Sequence, residues 1–188
     1  MGRFPIAVAI ILISTLCFGG EKKYELMGIP FGAPFTEVAV KIQNEYGSKV
    51  ILYENNIAIE EYDLKGLNVG ASLLFDNNKK FTALFFKTGN RTADQFETNI
   101  KIDANMMAGI FRNKFGEDFK CNELTIGKLI SEIDSYPICE WKNDKLAIYT
   151  AIKVFKSKFH VVGLIGSKKM MEKFKLHLKE EKKNNKKS

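Results

Sequence analysis

The sequence predicts an α+β fold: an antiparallel sheet of about six to eight strands, two main helices on one face and a C-terminal amphipathic helix. Three observations lead there. Two stretches, Phe35 to Tyr46 and Phe96 to Phe115, place apolar residues at helical spacing. Two others, 49–87 and 138–165, are rich in β-branched and aromatic residues and broken by turn signals. Each helical stretch is followed by several strand-like ones, the pattern of helices laid on an antiparallel meander.

Taken in order, Tyr24 to Ile29 reads as a short strand, followed by GIPFGAPFTEV, residues 28–38. A glycine-rich loop ahead of a helix can cradle an anion on free backbone N–H groups. Here Pro30 and Pro34 each remove a donor and no Lys or Arg lies within the stretch, so it reads as a bend, with Gly28 and Gly32 permitting the turn. The first helix follows, with Phe35, Val38, Ala39, Ile42 and Tyr46 on one face and Gly47 as its C-terminal cap. Residues 49–87 predict three or four strands, with turns at Asn55-Asn56, Lys65-Gly66 and Asp76-Asn77-Asn78. The last of these lacks the further acidic positions and terminal Glu of a calcium loop and reads as a turn.

Thr92-Ala93-Asp94-Gln95 matches a capping box and opens the second helix. Its apolar face runs through Phe96, Ile100, Ala104, Met107, Ala108, Phe111 and Phe115 to Gly116; the Met106-Met107 pair reads as core filling. A three-stranded meander follows, at 138–141, 146–152 and 159–165, while TIGKLISEID, residues 125–134, fits strand and helix equally. Met170, Met171, Phe174 and Leu178 trace the C-terminal amphipathic helix. IQNEYGSKV and FRNKFGEDF close the two helices alike, so the chain can be laid out as two α-then-β-meander units.

The chain's 188 residues suit one domain, expected over 20–180, between a signal peptide over 1–19 and a disordered Lys-rich tail over 181–188. Arg3, the apolar run from Phe4 to Leu16 and the small residues at Cys17, Gly19 and Gly20 form the three-part leader pattern, with cleavage near Gly19 or Gly20 and a periplasmic or secreted destination. The apolar run is shorter than the roughly 20 residues a spanning helix needs. Bulky Leu16 beside Cys17 favours cleavage over a lipoprotein anchor.

Export lets thiols pair, and Cys121 and Cys139 are the expected disulfide, closing a loop of about 19 residues worth on the order of 3 kcal/mol in the chain-entropy model. Cys139 and Trp141 share a strand face, so the only Trp is expected near that bridge. The net charge of +7 is concentrated at the ends: nine Lys and three Glu from 168 to 188 supply +6 and Arg3 the rest. A basic tail is not a nucleic-acid footprint, so no nucleic-acid partner is expected; weak contact with a membrane surface through that tail is.

No catalytic, cofactor-binding or metal-binding residue is assigned. His160 and His177 have no neighbour at ligand spacing, and there is no H-E-x-x-H, G-x-S-x-G or Walker loop. Ser72 lies in a strand pattern, and Glu54, Glu60, Glu61 and Asp63 read as a solvated strand face. Asn90-Arg91-Thr92 is a glycosylation sequon only in a eukaryotic secretory pathway.

GIPFGAPFTEV leading to a helix that ends NEYG, then NKFG and a strand bearing CEWKND, resembles uncharacterised exported bacterial proteins with a G-x-P-F-G turn, an E-V helix and a single strand Trp. More remotely, the helix-then-meander units resemble outer-membrane assembly lipoproteins and β-lactamase-inhibitor-like proteins. The resemblance implies architecture and compartment and supplies no catalytic residue. The sequence favours a non-enzymatic binding or interaction module of the bacterial envelope with an unidentified macromolecular partner. Two alternatives stay open: a hydrolase with an unrecognised carboxylate or Ser site, and attachment to an anionic surface through the basic tail.

Overall fold

The computed structural model describes residues 25–116, 118–125, 127, 135–155 and 157–172. The described residues open with a two-stranded hairpin, β1 (Glu25–Leu26) and β2 (Ile29–Pro30), where the sequence predicted one strand. Met27 and Gly28 make the turn at φ 57° and 65°, a left-handed pair that glycine favours. Gly32, at φ 87°, then lets the chain bend into α1 (Phe35–Tyr46). Pro34 sits at the N-cap with an extended backbone; Val38, Ala39 and Ile42 face the core, and Gly47 ends the helix by donating its N–H to the Gln43 carbonyl.

Four strands follow: β3 (Val50–Leu52), β4 (Asn56–Leu64), β5 (Leu67–Phe75) and β6 (Phe81–Lys87). The predicted turns lie between them. Asp76 Oδ1 accepts from the N–H groups of Asn78 and Lys80, both at 2.9 Å, in the Asx geometry that makes such residues turn formers.

The second helical stretch starts at Thr92, whose N–H donates to Gln95 Oε1 at 3.1 Å. Its path begins as a 3₁₀ turn (Ala93–Gln95) and a π turn (Phe96–Ile100) before becoming α2 (Lys101–Phe115). Phe96, Ile100, Ala104, Met107, Ala108 and Phe111 are buried as predicted, whereas Met106 is exposed. Gly116, at φ 105°, ends α2 as Gly47 ends α1. After it come β7 (Lys120–Cys121), β8 (Ser135–Lys142), β9 (Leu146–Phe155) and β10 (Lys158–Ser167), and a helical turn opens at 168–172. The ambiguous stretch 125–134 lies outside the described residues except for Thr125 and Gly127. Phe174, Leu178 and the tail lie outside them too.

All eight longer-range strands form one antiparallel sheet in the order β3-β4-β5-β6-β10-β9-β8-β7. Each half is a helix followed by four strands in sequence, and the last strands, β6 and β10, pair at the centre with Phe85 opposite Leu164. The two-unit layout drawn from the helix ends is thus the topology of the chain. α1 and α2 bury their apolar stripes in one cluster with Ile57, Leu73, Leu84, Ile148, Ile152 and Ile165 from one sheet face. On the opposite face Ala83, Ala147, Tyr149, Ala151, Val162 and Leu164 form a smaller cluster with Met171. Among the described residues no helix is long and apolar enough to cross a membrane.

Candidate functional site

The two halves repeat a local arrangement where helix meets sheet. In each, the last aromatic of the helix packs on an aromatic near the end of the second strand: Tyr46 on Tyr62, and Phe115 on Trp141, both at 5.9 Å between ring centroids. The cause is local. A positive-φ glycine directly after the aromatic turns the chain back to the sheet edge and leaves that ring over the strand.

A hollow lies beside each pair. In the first half it is a shallow groove of about 470 Å³ lined by Glu45, Tyr46, Lys49, Glu61, Asp63 and Asn68. Lys49 Nζ lies 2.8 Å from Glu61 Oε2, and this hydrogen bond and charge hold the Glu61 carboxyl below its usual range. Burial and the adjacent Glu45 carboxylate push the Tyr46 hydroxyl far above its usual range; burial, Glu45 and Asp63 push Tyr62 up in the same sense. Both phenols therefore stay protonated, and their rings serve packing.

The hollow in the second half is a better-defined cleft of about 350 Å³. It wraps the β8–β9 hairpin. Trp141 and Ile148 come from the helix-bearing face, Ala147 and Met171 from the other, and the rim carries Lys120, Lys142 and Lys168 with Asp118, Glu140 and Glu172. Three local devices shape it. Asn143 Oδ1 accepts the N–H groups of Lys145 and Leu146 at 2.9 and 2.7 Å and so closes the hairpin turn. Ser167 Oγ accepts the Met170 N–H at 3.3 Å, the capping interaction that starts a helical turn as β10 ends. Trp141 is flanked by Phe115 and by Phe119, the latter stacked at 6.1 Å.

The cysteine pair acts on the same cleft. Cys121 and Cys139 stand directly opposite each other on β7 and β8, with their sulfurs 2.09 Å apart, the distance of a disulfide. β7 is only two residues long, so this link is what ties the edge strand down. It thereby holds Lys120 and Glu140, the next pair in register, on the cleft wall. Cys139 is 2% exposed whereas Cys121 faces solvent, with Arg112 Nη2 3.6 Å from its Sγ. Trp141 follows Cys139 by two positions on the same face, as predicted.

The remaining sequence candidates are dispersed. His160 is buried on β10 with Nδ1 3.3 Å from the Thr88 carbonyl oxygen; His177 lies outside the described residues. Ser72 is placed opposite Ala58 and Phe85. Glu54 lies 3.9 Å from Lys79, Glu61 pairs with Lys49, and Asp63 accepts the Gly66 N–H in the β4–β5 turn. In GIPFG, Lys41 Nζ reaches the Gly28 carbonyl from thirteen positions away, a cation spent on the bend. Among the described residues no group of three or more His, Cys, Asp or Glu is placed to hold a metal ion.

Two features escaped the sequence reading. Asp103 is buried on α2 and bound by Arg91, with Nε and Nη2 both 3.1 Å from Oδ2, a link that fixes the loop before α2 to the helix. The cleft itself draws on Asp118, Trp141 and Met171, which lie far apart in sequence; Trp141 and Met171 carried signals for a strand and a helix, and nothing in their spacing joined them. No protein-family model matches the chain, and neither a curated protein nor a solved structure matches it.

Proposed function

We propose that the chain is a non-enzymatic binding module exported to the bacterial envelope, and that it engages a macromolecular partner at the sheet end where the Trp141 cleft opens. The observation that carries the reading is the cleft, about 350 Å³ with an indole, a thioether and both signs of charge around it. A hollow of that size takes one or two side chains. Interface anchors are enriched in aromatic and Arg side chains set into pockets. An Arg anchor suits this one best, since its guanidinium can stack on Trp141 while Asp118 or Glu172 accepts its N–H groups. The leader pattern and the resemblance to exported proteins support the compartment. A cysteine pair at bonding distance supports it as well, because such pairs persist where the surroundings are oxidising.

Trp141 is the only Trp in the chain, so its emission reports on the cleft directly. The test is recovery from envelope extract beside the Asp118→Lys and Trp141→Ala variants. The expected result is a co-purifying protein that shifts the indole emission when the purified pair is mixed and is not retained by either variant. Recovery of the wild type alone, or equal retention by the variants, overturns the reading.

A further inference from the structure

The face of the sheet opposite α1 and α2 is apolar along its centre and closed to solvent. Ala151 and Val162 are 0% and 3% exposed, and Leu164 and Tyr149 are 2% and 7% exposed. The first turn of the C-terminal helix already sits on this patch: Met171 is 4% exposed and belongs to its cluster, with Met170 packed against the side. The chain leaves β10 at Ser167, and the place of Met171 in this cluster means that it has folded back over the sheet.

Beyond Met171 the sequence continues its helical spacing with Phe174 and Leu178, and Lys173, Lys175 and Lys179 fall off that stripe. The described chain ends at Glu172, on the threshold of the patch.

We propose that this second sheet face is a seat for an amphipathic helix, and that its resident occupant is the chain's own segment 173–180. The seat is a helix-in-groove binding site built into the fold. It borders the Trp141 cleft, because Met171 belongs to both. Failure of this inference leaves the cleft reading standing, since the test below reads cover over Val162 and not partner binding.

The experiment is thiol labelling of Val162→Cys in the full chain, with Cys17→Ser so that the new thiol is the only free one. Labelling is compared with the same chain carrying Phe174→Lys and Leu178→Lys, and with one carrying Ile10→Lys and Ile13→Lys in the leader. The expected result is labelling about tenfold or more faster in the tail variant alone, reversed by an added synthetic peptide of residues 168–188. A peptide with Met170, Met171, Phe174 and Leu178 replaced by Ser should not reverse it. Leu73→Cys, in the core beneath the helices, reports global unfolding and should stay unreactive throughout. Equal labelling with and without the tail substitutions, or loss of protection only in the leader variant, overturns the proposal.

Discussion

His160 is 4% exposed on β10, beside the Thr88 carbonyl oxygen and opposite Lys153 in the register with β9. Burial first, and then the Lys87 ammonium, hold its imidazole below the ordinary value of 6.5. The unfolded chain therefore takes up this proton before the folded one does. The associated stability is present in full above 6.5 and is lost as pH falls below it. Comparing thermal midpoints at about pH 7.5 and about pH 5.5, the wild type should lose more on acidification than His160→Gln. An identical drop in both proteins would mean that His160 titrates alike in the two states. Thr88 shares the arrangement, since its Oγ accepts the Val161 N–H at 3.0 Å. None of this is visible in the spacing of two histidines, because Lys87, the last residue of β6, and Thr88 after it stand more than seventy positions earlier.

At the scale of elements, α2 approaches β10 closely because Gly163 stands beneath it. A Cβ there would meet Met107 Sδ at 2.7 Å and two Phe111 ring carbons at 2.9 Å. Gly163→Ala should therefore cost on the order of 1–3 kcal/mol, although alanine is otherwise the better strand residue. Met107→Ala vacates part of that space, so the double variant should be less unstable than the sum of the two single changes. Denaturant unfolding of the three proteins measures this, and strict additivity would place the strain elsewhere. Helix start and stop were readable because they depend on neighbours in sequence: Pro34 and Gly47 bracket α1, and Thr92 and Gly116 bracket the second helical path. The 3₁₀ and π turns that lead into α2 were not, because apolar spacing near 3.6 persists through them. Asp103 interrupts the apolar stripe harmlessly, since Arg91 satisfies it.

For the whole molecule, the two α-then-four-strand halves differ in how their outer edges are finished. β3 and the residue after it leave Ile51, Leu52 and Tyr53 exposed, whereas the two-residue β7 is held to β8 by the cysteine pair. Replacing Cys121 and Cys139 together by Ser should cost about 3 kcal/mol by the loop-closure argument. It should also loosen Lys120 and Glu140 on the cleft wall, so that Trp141 emission moves to the red and acrylamide quenches it faster. Unchanged quenching would show that β7 holds its place without the link. An incoming thiol reaches only the exposed Cys121 and must expel the Cys139 thiolate into apolar surroundings, so mild reductants should act slowly on the pair.

What the sequence determined by itself is what local rules control: two capped amphipathic helices, the strand segments and their Asx and glycine turns, and the repeat of aromatic then glycine at both helix ends. The tertiary structure decided how the two meanders join, through β6 and β10, and which residues make the cluster on each sheet face. It also decided that Asp118, Trp141 and Met171 meet around one cleft. The division has a physical cause. Caps and periodicity act over a few residues, while strand pairing and cleft formation join positions tens of residues apart, which no spacing pattern encodes.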